Sequence, residues 1–512
     1  MPIFKTSHGS LDVTNWSYQL QGLNGAALNP VELASLGAGL LVTDYSRDGS
    51  GPNRFTPAEV DTFKANAVAV SYISIGEASD FQAYWHANWT STGHATGALT
   101  SAAPGWLGPI DEAFPESRKV RYWDPDWQKL IFNDAHTGYL DQIVAQGFDG
   151  AYLDIVDAYY FWAAEATPAQ RHAGDPRTEH DAAARMIDFI VAMTAHARQT
   201  NPDFAIIPQN GELIIDALAG TDPARKAAFL GSINAIAVED VYLRNGTAAE
   251  NNGFLPDKVV IAALKHDFIA NGKAVFAVDY VNELDGMGRF IQAALADGFI
   301  PTVALKRGLD RTLAPLHSKD ATGEGADLVA GTAASDQILG HGGNDTLFGF
   351  KGNDLLLGGG GDDQISGGLG RDKIDGGAGR DLIDGGLARD VLTGGAGRDT
   401  FDFNAPGDSS AGGARRDTIT DFRHGQDRID LSTMDANLTT AANDKFVWVG
   451  TTPLSGPNGA GQAGQLHAVI VNNPGRAHDL TIVEGDTNGD GAADIQIVLT
   501  GLIHLTARDF IL

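Results

Sequence analysis

The 512-residue chain has no cysteine, which excludes disulfides, thiolate nucleophiles and cysteine-ligated metals. Positive charge is scarce: 36 Lys and Arg stand against 65 Asp and Glu, a net charge of −29. That sign repels phosphate backbones and anionic headgroups, so neither nucleic acid nor a membrane surface is an expected partner. No run of about 20 apolar residues occurs, so no membrane span is expected. The start, Met1-Pro-Ile-Phe-Lys-Thr-Ser-His, lacks an apolar stretch behind a basic one, so no cleaved N-terminal signal is expected either. His-Glu-x-x-His and Gly-x-Ser-x-Gly are missing, and no G-x-G-x-x-G follows the first strand-like run. Zinc-peptidase, serine-hydrolase and dinucleotide chemistry therefore find no support.

What the chain has in abundance is glycine, 63 residues, together with aspartates at a nine-residue interval: Asp327, Asp336, Asp345, Asp354, Asp363, Asp372, Asp381, Asp390 and Asp399. Each is followed two positions later by an apolar residue, in order Val329, Ile338, Leu347, Leu356, Ile365, Ile374, Ile383, Leu392 and Phe401. This is the nonapeptide pattern G-G-x-G-x-D-x-U-x. Glycine supplies positive-φ turns and bare carbonyls, and Asp supplies hard anionic oxygen, the donor set Ca²⁺ prefers. The expectation for 321–403 is a parallel β-roll with calcium in its turns, ligated by Asp345, Asp354, Asp363, Asp372, Asp381, Asp390 and Asp399. Thr-Ala-Ala-Ser before Asp336 and Ala388 in place of a glycine predict fewer than eight well-formed sites. Beyond 403 the period stops, and alternating segments predict a small β cap over 404–512. Within it, Asp486-Thr-Asn-Gly-Asp-Gly opens like an EF-hand loop, but Ile497 occupies the twelfth position, which predicts a tight turn or a weak site.

Upstream of a linker at 313–320, short apolar runs alternate with amphipathic segments. Strands are expected at 16–20, 40–45, 67–75, 150–155, 204–208, 235–238, 274–278 and 299–304. Helices are expected at 57–65, 127–146, 180–199 and 287–297. Eight such units over 10–312 have the size and rhythm of a (β/α)8 TIM barrel, whose functional groups sit at the C-terminal strand ends. Those ends carry an unusual number of acids: Asp44, Glu77, Asp154, Asp157, Glu212, Glu239, Asp240 and Asp279, with Asn210 among them. Like charges on one face resist desolvation, so function explains the cluster better than structure does. Two carboxylates of unequal pKa suit glycosidic-bond hydrolysis, and interleaved rings suit sugar stacking. The candidate substrate-binding residues are Trp16, Tyr18, Asp44, Tyr45, Glu77, Trp123, Asp157, Asn210, Tyr242 and Asp279.

Several stretches resemble the glycoside hydrolase family 114 barrel, the endo-α-1,4-polygalactosaminidase-like group: Trp16-Ser-Tyr-Gln-Leu-Gln, Val42-Thr-Asp-Tyr, Ser71-Tyr-Ile-Ser-Ile-Gly-Glu, Val120-Arg-Tyr-Trp-Asp-Pro-Asp-Trp and Gly147-Phe-Asp-Gly-Ala-Tyr-Leu-Asp-Ile-Val-Asp. The resemblance implies hydrolysis of a galactosamine-rich polysaccharide by two carboxylates, after strands four and six, which fall on Asp154 and Glu239 here. The chain departs from that group in reading Leu153-Asp-Ile-Val-Asp and Val238-Glu-Asp at these two places.

Asp417-Thr-Ile-Thr-Asp-Phe, Gly425-Gln-Asp-Arg-Ile-Asp-Leu and the final Asp509-Phe-Ile-Leu resemble the calcium-binding repeats and cap of serralysin-like proteins. That resemblance implies export by a type I secretion apparatus that reads an uncleaved C-terminal signal, and hence an extracellular protein. The leading expectation is a secreted, calcium-stabilised glycosidase. The alternative is a non-catalytic carbohydrate-binding or biofilm-matrix protein that uses the cleft as a lectin-like groove.

Overall fold

Strands in the N-terminal part form where branched and aromatic residues run without polar interruption, as in sheets covered on both faces. Leu40–Thr43 and Ala205–Pro208 are buried at every position. The computed structural model describes residues 3–6, 9–20, 27–36, 38–48, 51–65, 67–218, 220–243, 254–281, 284–304, 316–318, 325–412, 415–440, 443–454, 462–471 and 479–512. The expected linker at 313–320 and the first positions of the expected roll, 321–324, lie largely outside the described residues. The chain divides into two compact units, Met1–Pro315 and Leu316–Leu512.

In the first unit eight parallel strands are designated β1 (Trp16–Gln19), β2 (Leu40–Thr43), β3 (Val68–Ser74), β4 (Gly150–Asp154), β5 (Ala205–Pro208), β6 (Ala235–Glu239), β7 (Ala274–Tyr280) and β8 (Ile300–Ala304). They pair in parallel as β1-β2-β3-β4-β5 and as β6-β7-β8. The two groups meet on both sides. The Gln209–Ala237 bridge and the Asn234 N–H donated to Ile206 O join β5 to β6. Trp16 Nε1 donates to Ile300 O at 2.9 Å between β1 and β8. One apolar core takes residues from all eight strands, including Trp16, Val42, Val70, Tyr152, Ile207, Ala237, Phe276 and Ala304.

Two features depart from the sequence reading. The helix expected over 127–146 is two, Pro125–Ile131 and Tyr139–Gln146. Between them His136 takes a φ of +53°, which ends helical geometry. A three-stranded antiparallel sheet, Glu77–Ser79, Leu107–Ile110 and Ser117–Val120, also follows β3, and nothing in the periodicity announced it.

The second unit has two sheets of short strands, parallel throughout the repeats and antiparallel from Gln465 to Thr500. Alternate repeats go to alternate sheets, so one turn takes 18 residues: Leu328–Ala330 pairs with Thr346–Phe348, and Gln337–Leu339 with Leu355–Gly360. The residues two after each Asp, Val329 through Phe401, are completely buried between the sheets. The segments expected as a separate cap continue these same sheets. Thr418–Ile419 pairs with Val391–Gly397, and Arg428–Asp430 joins Thr400–Asp402 to Phe510–Ile511. The EF-like segment is the turn between the antiparallel strands Leu480–Asp486 and Ile495–Thr500. There Asp486 accepts N–H groups from Asn488, Gly489 and Gly491.

Candidate active site

Three consecutive strand ends share a backbone feature. Ile155 after β4, Asn210 after β5 and Asp240 after β6 all adopt positive φ, +58°, +57° and +57°. For the β-branched Ile155 this is a costly conformation, on the order of 1–3 kcal/mol, of the kind that persists where a site demands it. Gly76 permits it, because a Cβ there would lie 2.2 Å from Ile155 O.

These bends aim Asp154 and Glu239 at the same end of the strand set. Tyr72 on β3 donates its hydroxyl to Asp154 Oδ2 at 2.6 Å, and the Ile155 N–H donates to Oδ1 at 2.7 Å. Glu239 is held on both oxygens: Asn210 Nδ2 donates to Oε1 at 2.8 Å and Tyr280 O–H to Oε2 at 2.5 Å. Burial pushes Glu239 up to about 7, helped by the charge of Asp154, while the Tyr280 and Asn210 donors pull it back. Asp154 is also raised by burial, against the Tyr72 and Ile155 hydrogen bonds and the Lys119 charge. Two carboxyls, one pushed toward neutrality by burial and by the charge of the other, are the elements of an acid and an anionic partner.

Around them stand further acids. Glu212 has a buried Oε2 with no hydrogen-bond partner, and burial raises its carboxyl. Asp157 is exposed two residues beyond Ile155. Glu77 and Asp111 both bind Lys119 Nζ, the latter at 2.7 Å.

The other expected substrate-binding residues divide by exposure. Trp123 is half-buried, with its ring edge-on to Trp162. Tyr18 is enclosed and donates to Gln209 Oε1 at 3.2 Å. Trp16, Tyr45, Tyr242 and Asp279 are walled in by the core. Trp16 stacks on Tyr18 and Tyr152, Tyr45 sits edge-on to Tyr139, and Tyr242 O–H donates to Asp297. Asp279 Oδ2 accepts the Tyr242 N–H, and Asp44 Oδ1 accepts both the N–H and hydroxyl of Ser46. All six, Tyr18 and Asp44 included, are buried in the structure. The expected substrate-binding set did not include Lys119, nor Tyr72 and Tyr280, which counted only among the interleaved rings and which touch the two central carboxyls. The tyrosines carried a signal, since each lies on a strand whose end bears an acid. Lys119 carried none.

In the second unit Asp345 and the ladder aspartates after it use their two oxygens differently, while Asp336 turns its Oδ2 to Thr332. Oδ1 accepts the backbone N–H of the aspartate one turn earlier: Asp345 from Asp327 at 2.8 Å, Asp372 from Asp354 at 2.8 Å, Asp390 from Asp372 at 2.7 Å. Asp417 and Asp427 extend the series, accepting from Asp390 and Asp399. Oδ2 of Asp345, Asp354, Asp363, Asp372, Asp381, Asp390, Asp399 and Asp417 is buried without a hydrogen-bond partner. For the first seven, a Cβ on the glycine five residues earlier would lie within 2.4–2.8 Å of it. Burial pushes Asp363 up to about 7, and burial with the Asp417 charge pushes Asp390 up to about 9. Rows of buried carboxylate oxygens facing bare glycine backbone, each costly to ionise alone, fit a hard divalent cation.

The model of the glycoside-hydrolase family GH114 matches residues 5–316. The chain belongs to glycoside-hydrolase family GH114. Residues 329–512 match the model of the peptidase M10 serralysin C terminal. Among curated relatives of the GH114 part, an uncharacterized protein of Thermotoga maritima is 31% identical over 310 residues, covering 59% of this chain and 84% of the relative. The uncharacterized protein MJ1477 of Methanocaldococcus jannaschii is 32% identical over 312 residues, covering 59% and 78%. Among solved structures, the glycoside hydrolase domain of PelA from Pseudomonas aeruginosa aligns at 17% identity with a TM-score of 0.40, covering 59% of this chain and 99% of that one. Among the described residues no helix is long and apolar enough to cross a membrane.

Proposed function

We propose that the GH114 unit is a closed (β/α)8 barrel that hydrolyses glycosidic bonds in an amino-sugar polysaccharide rich in galactosamine. The observation that carries this reading is the paired clamp on Glu239 and Asp154, each carboxyl fixed by a tyrosine hydroxyl on a different strand. Glu239, pushed up to about 7, holds the proton that a leaving glycosidic oxygen needs. Asp154, stabilised as an anion by Tyr72, Ile155 N–H and Lys119, acts on the opposite side as nucleophile or base. Asp157 and Glu212 favour a substrate that brings its own positive charge, as a deacetylated amino sugar does.

The second unit binds Ca²⁺ between its rungs, through the buried Oδ2 atoms and turn carbonyls, and so folds where calcium is plentiful. With the serralysin C-terminal likeness, this supports an extracellular enzyme exported by a type I apparatus.

The test is reducing-end release from partly deacetylated galactosamine polymer by wild type, Asp154→Asn and Glu239→Gln. Each substitution keeps shape and removes an ionisable group, so losses of about 10²–10⁴-fold are expected. Full activity in both variants rejects the assignment. Binding without cleavage by wild type would favour the lectin-like groove.

A further inference from the structure

Away from the strand ends, three metal-binding side chains converge on the outer helical layer of the first unit. His136, Asp141 and His196 place one ligand atom each within 4.8 Å of one another. Asp141 lies in the first turn of Tyr139–Gln146, and His196 near the end of Glu179–Thr200. His136 comes from the segment between Ile131 and Tyr139. Asn133 folds that segment, its Oδ1 accepting N–H groups from Ala135 at 3.0 Å and Thr137 at 3.3 Å.

The carboxylate of Asp141 is divided between two tasks. Oδ2 accepts the N–H groups of Gly138 at 3.0 Å and Asn133 at 3.2 Å, which fixes the carboxylate plane. Oδ1 faces both imidazoles, 2.6 Å from His196 Nε2 and 3.3 Å from His136 Nδ1. His196 is held in turn by the ring of Phe132, at 5.0 Å between centroids. His136 leaves the cluster open to solvent, its side chain 56% exposed.

We propose that His136 Nδ1, His196 Nε2 and Asp141 Oδ1 form a binding site for a borderline divalent cation such as Zn²⁺, with water as the fourth ligand. Two imidazoles and a carboxylate are the ligands Zn²⁺ takes at about 2.0–2.2 Å in tetrahedral sites, whereas Ca²⁺ takes oxygen alone. This cation site is therefore separate in chemistry from the aspartate ladder. Tetrahedral ligands stand about 3.3 Å apart, so the three donors need only small adjustments around an ion. On binding, each ring gives up its hydrogen bond to Oδ1 and carries its proton on the other nitrogen. The ion would brace the 132–138 segment and the two helices against one another.

The test uses the full chain in saturating Ca²⁺, which occupies the oxygen sites, titrated with Zn²⁺ by calorimetry and with Co²⁺ by visible absorption. One equivalent is expected, with the absorption of tetrahedral Co²⁺. His136→Asn is the informative variant. Asn tolerates the positive φ at this position, and the residue is exposed, so the fold is retained. At least tenfold weaker binding is expected, since even outer partners of a ligand cost 10–100-fold. No saturable binding in wild type, or equal binding in the variant, overturns the proposal. X-ray absorption at the zinc edge is an independent reading of wild type, and a bound ion without imidazole neighbours overturns it as well.

Discussion

Asn210 and Glu239 are bound to each other twice: the Asn210 side chain donates Nδ2 to Glu239 Oε1 at 2.8 Å and accepts the Glu239 backbone N–H on Oδ1 at 3.2 Å. One residue in a left-handed bend thus sets both the position of the strand end and the orientation of its carboxyl. Tyr280 closes the other side. The Glu239 carboxyl is held by protein groups alone, the preorganisation that its proposed role as acid calls for.

The pH profile should follow from this clamp. Glu239 must be protonated to act as acid, so kcat/KM should fall as pH rises through about 7. Asp154 must be ionised, and because burial raises it, the acid limb should lie above the ordinary carboxylate value of about 4. Tyr280→Phe removes a donor that favours ionised Glu239, so the basic limb should move to higher pH. A profile of this variant with an unmoved or lowered basic limb would contradict the assignment of Glu239 as acid.

Ile155 sets stability against function. Ile155→Gly removes a strained positive φ and should stabilise the first unit by about 1 kcal/mol, once the entropy of the added glycine is deducted. The freed backbone should hold Asp154 less firmly, lowering kcat several-fold with KM little changed. Thermal unfolding and steady-state kinetics on the same preparation check both halves, and a variant less stable than wild type would remove the case for strain.

Calcium should be required for the fold of the second unit alone. Buried carboxylates one turn apart repel unless a dication or protons intervene, so binding and folding are coupled. In excess chelator, limited proteolysis of the full chain should digest the part after about 325 and leave a resistant fragment near residues 1–315. Survival of the C-terminal part would show that the ladder stands without cation.

Ala388 is a local weakness. The equivalent glycines Gly343, Gly352, Gly361, Gly370, Gly379 and Gly397 have φ of 113° to 154°, and a Cβ on them would lie 1.4–2.5 Å from a carbonyl oxygen of the neighbouring turn. Ala388 stands at 109°, just below that range and in a conformation that an L side chain rarely adopts. Ala388→Gly should stabilise the second unit by about 1 kcal/mol and lower the calcium needed for folding, both measurable by calcium-dependent circular dichroism. Unchanged or weaker folding would mean that the turn absorbs the methyl without strain.

The sequence made the strands legible because each is a short apolar run between polar bends, and all eight stand within a residue or two of their expected places. It made the ladder legible because the period is written in Asp and Gly. What it hid depends on contacts distant in the chain. Asp417 and Asp427 extend the ladder, but Asp427 stands 28 residues from its partner, one off the nine-residue count, and Asp417, though 27 residues from its own and in step with the count, lies beyond the glycines that mark the period. Trp16 and Tyr242 looked like sugar platforms because composition does not tell which ring face the core has taken. Lys119 meets Glu77 and Asp111 only because an antiparallel sheet follows β3, and no periodic signal marks three strands of three or four residues.

From Asp345 on, a ladder aspartate receives its hydrogen bond from an aspartate made earlier in synthesis: Asp327 waits for Asp345, Asp372 for Asp390, and Asp399 for Asp427. The roll therefore has a direction. A chain growing from its N-terminus presents every rung before the residue that closes it, and Phe510–Ile511, which pairs with Arg428–Asp430, is made some eighty residues after the strand it covers.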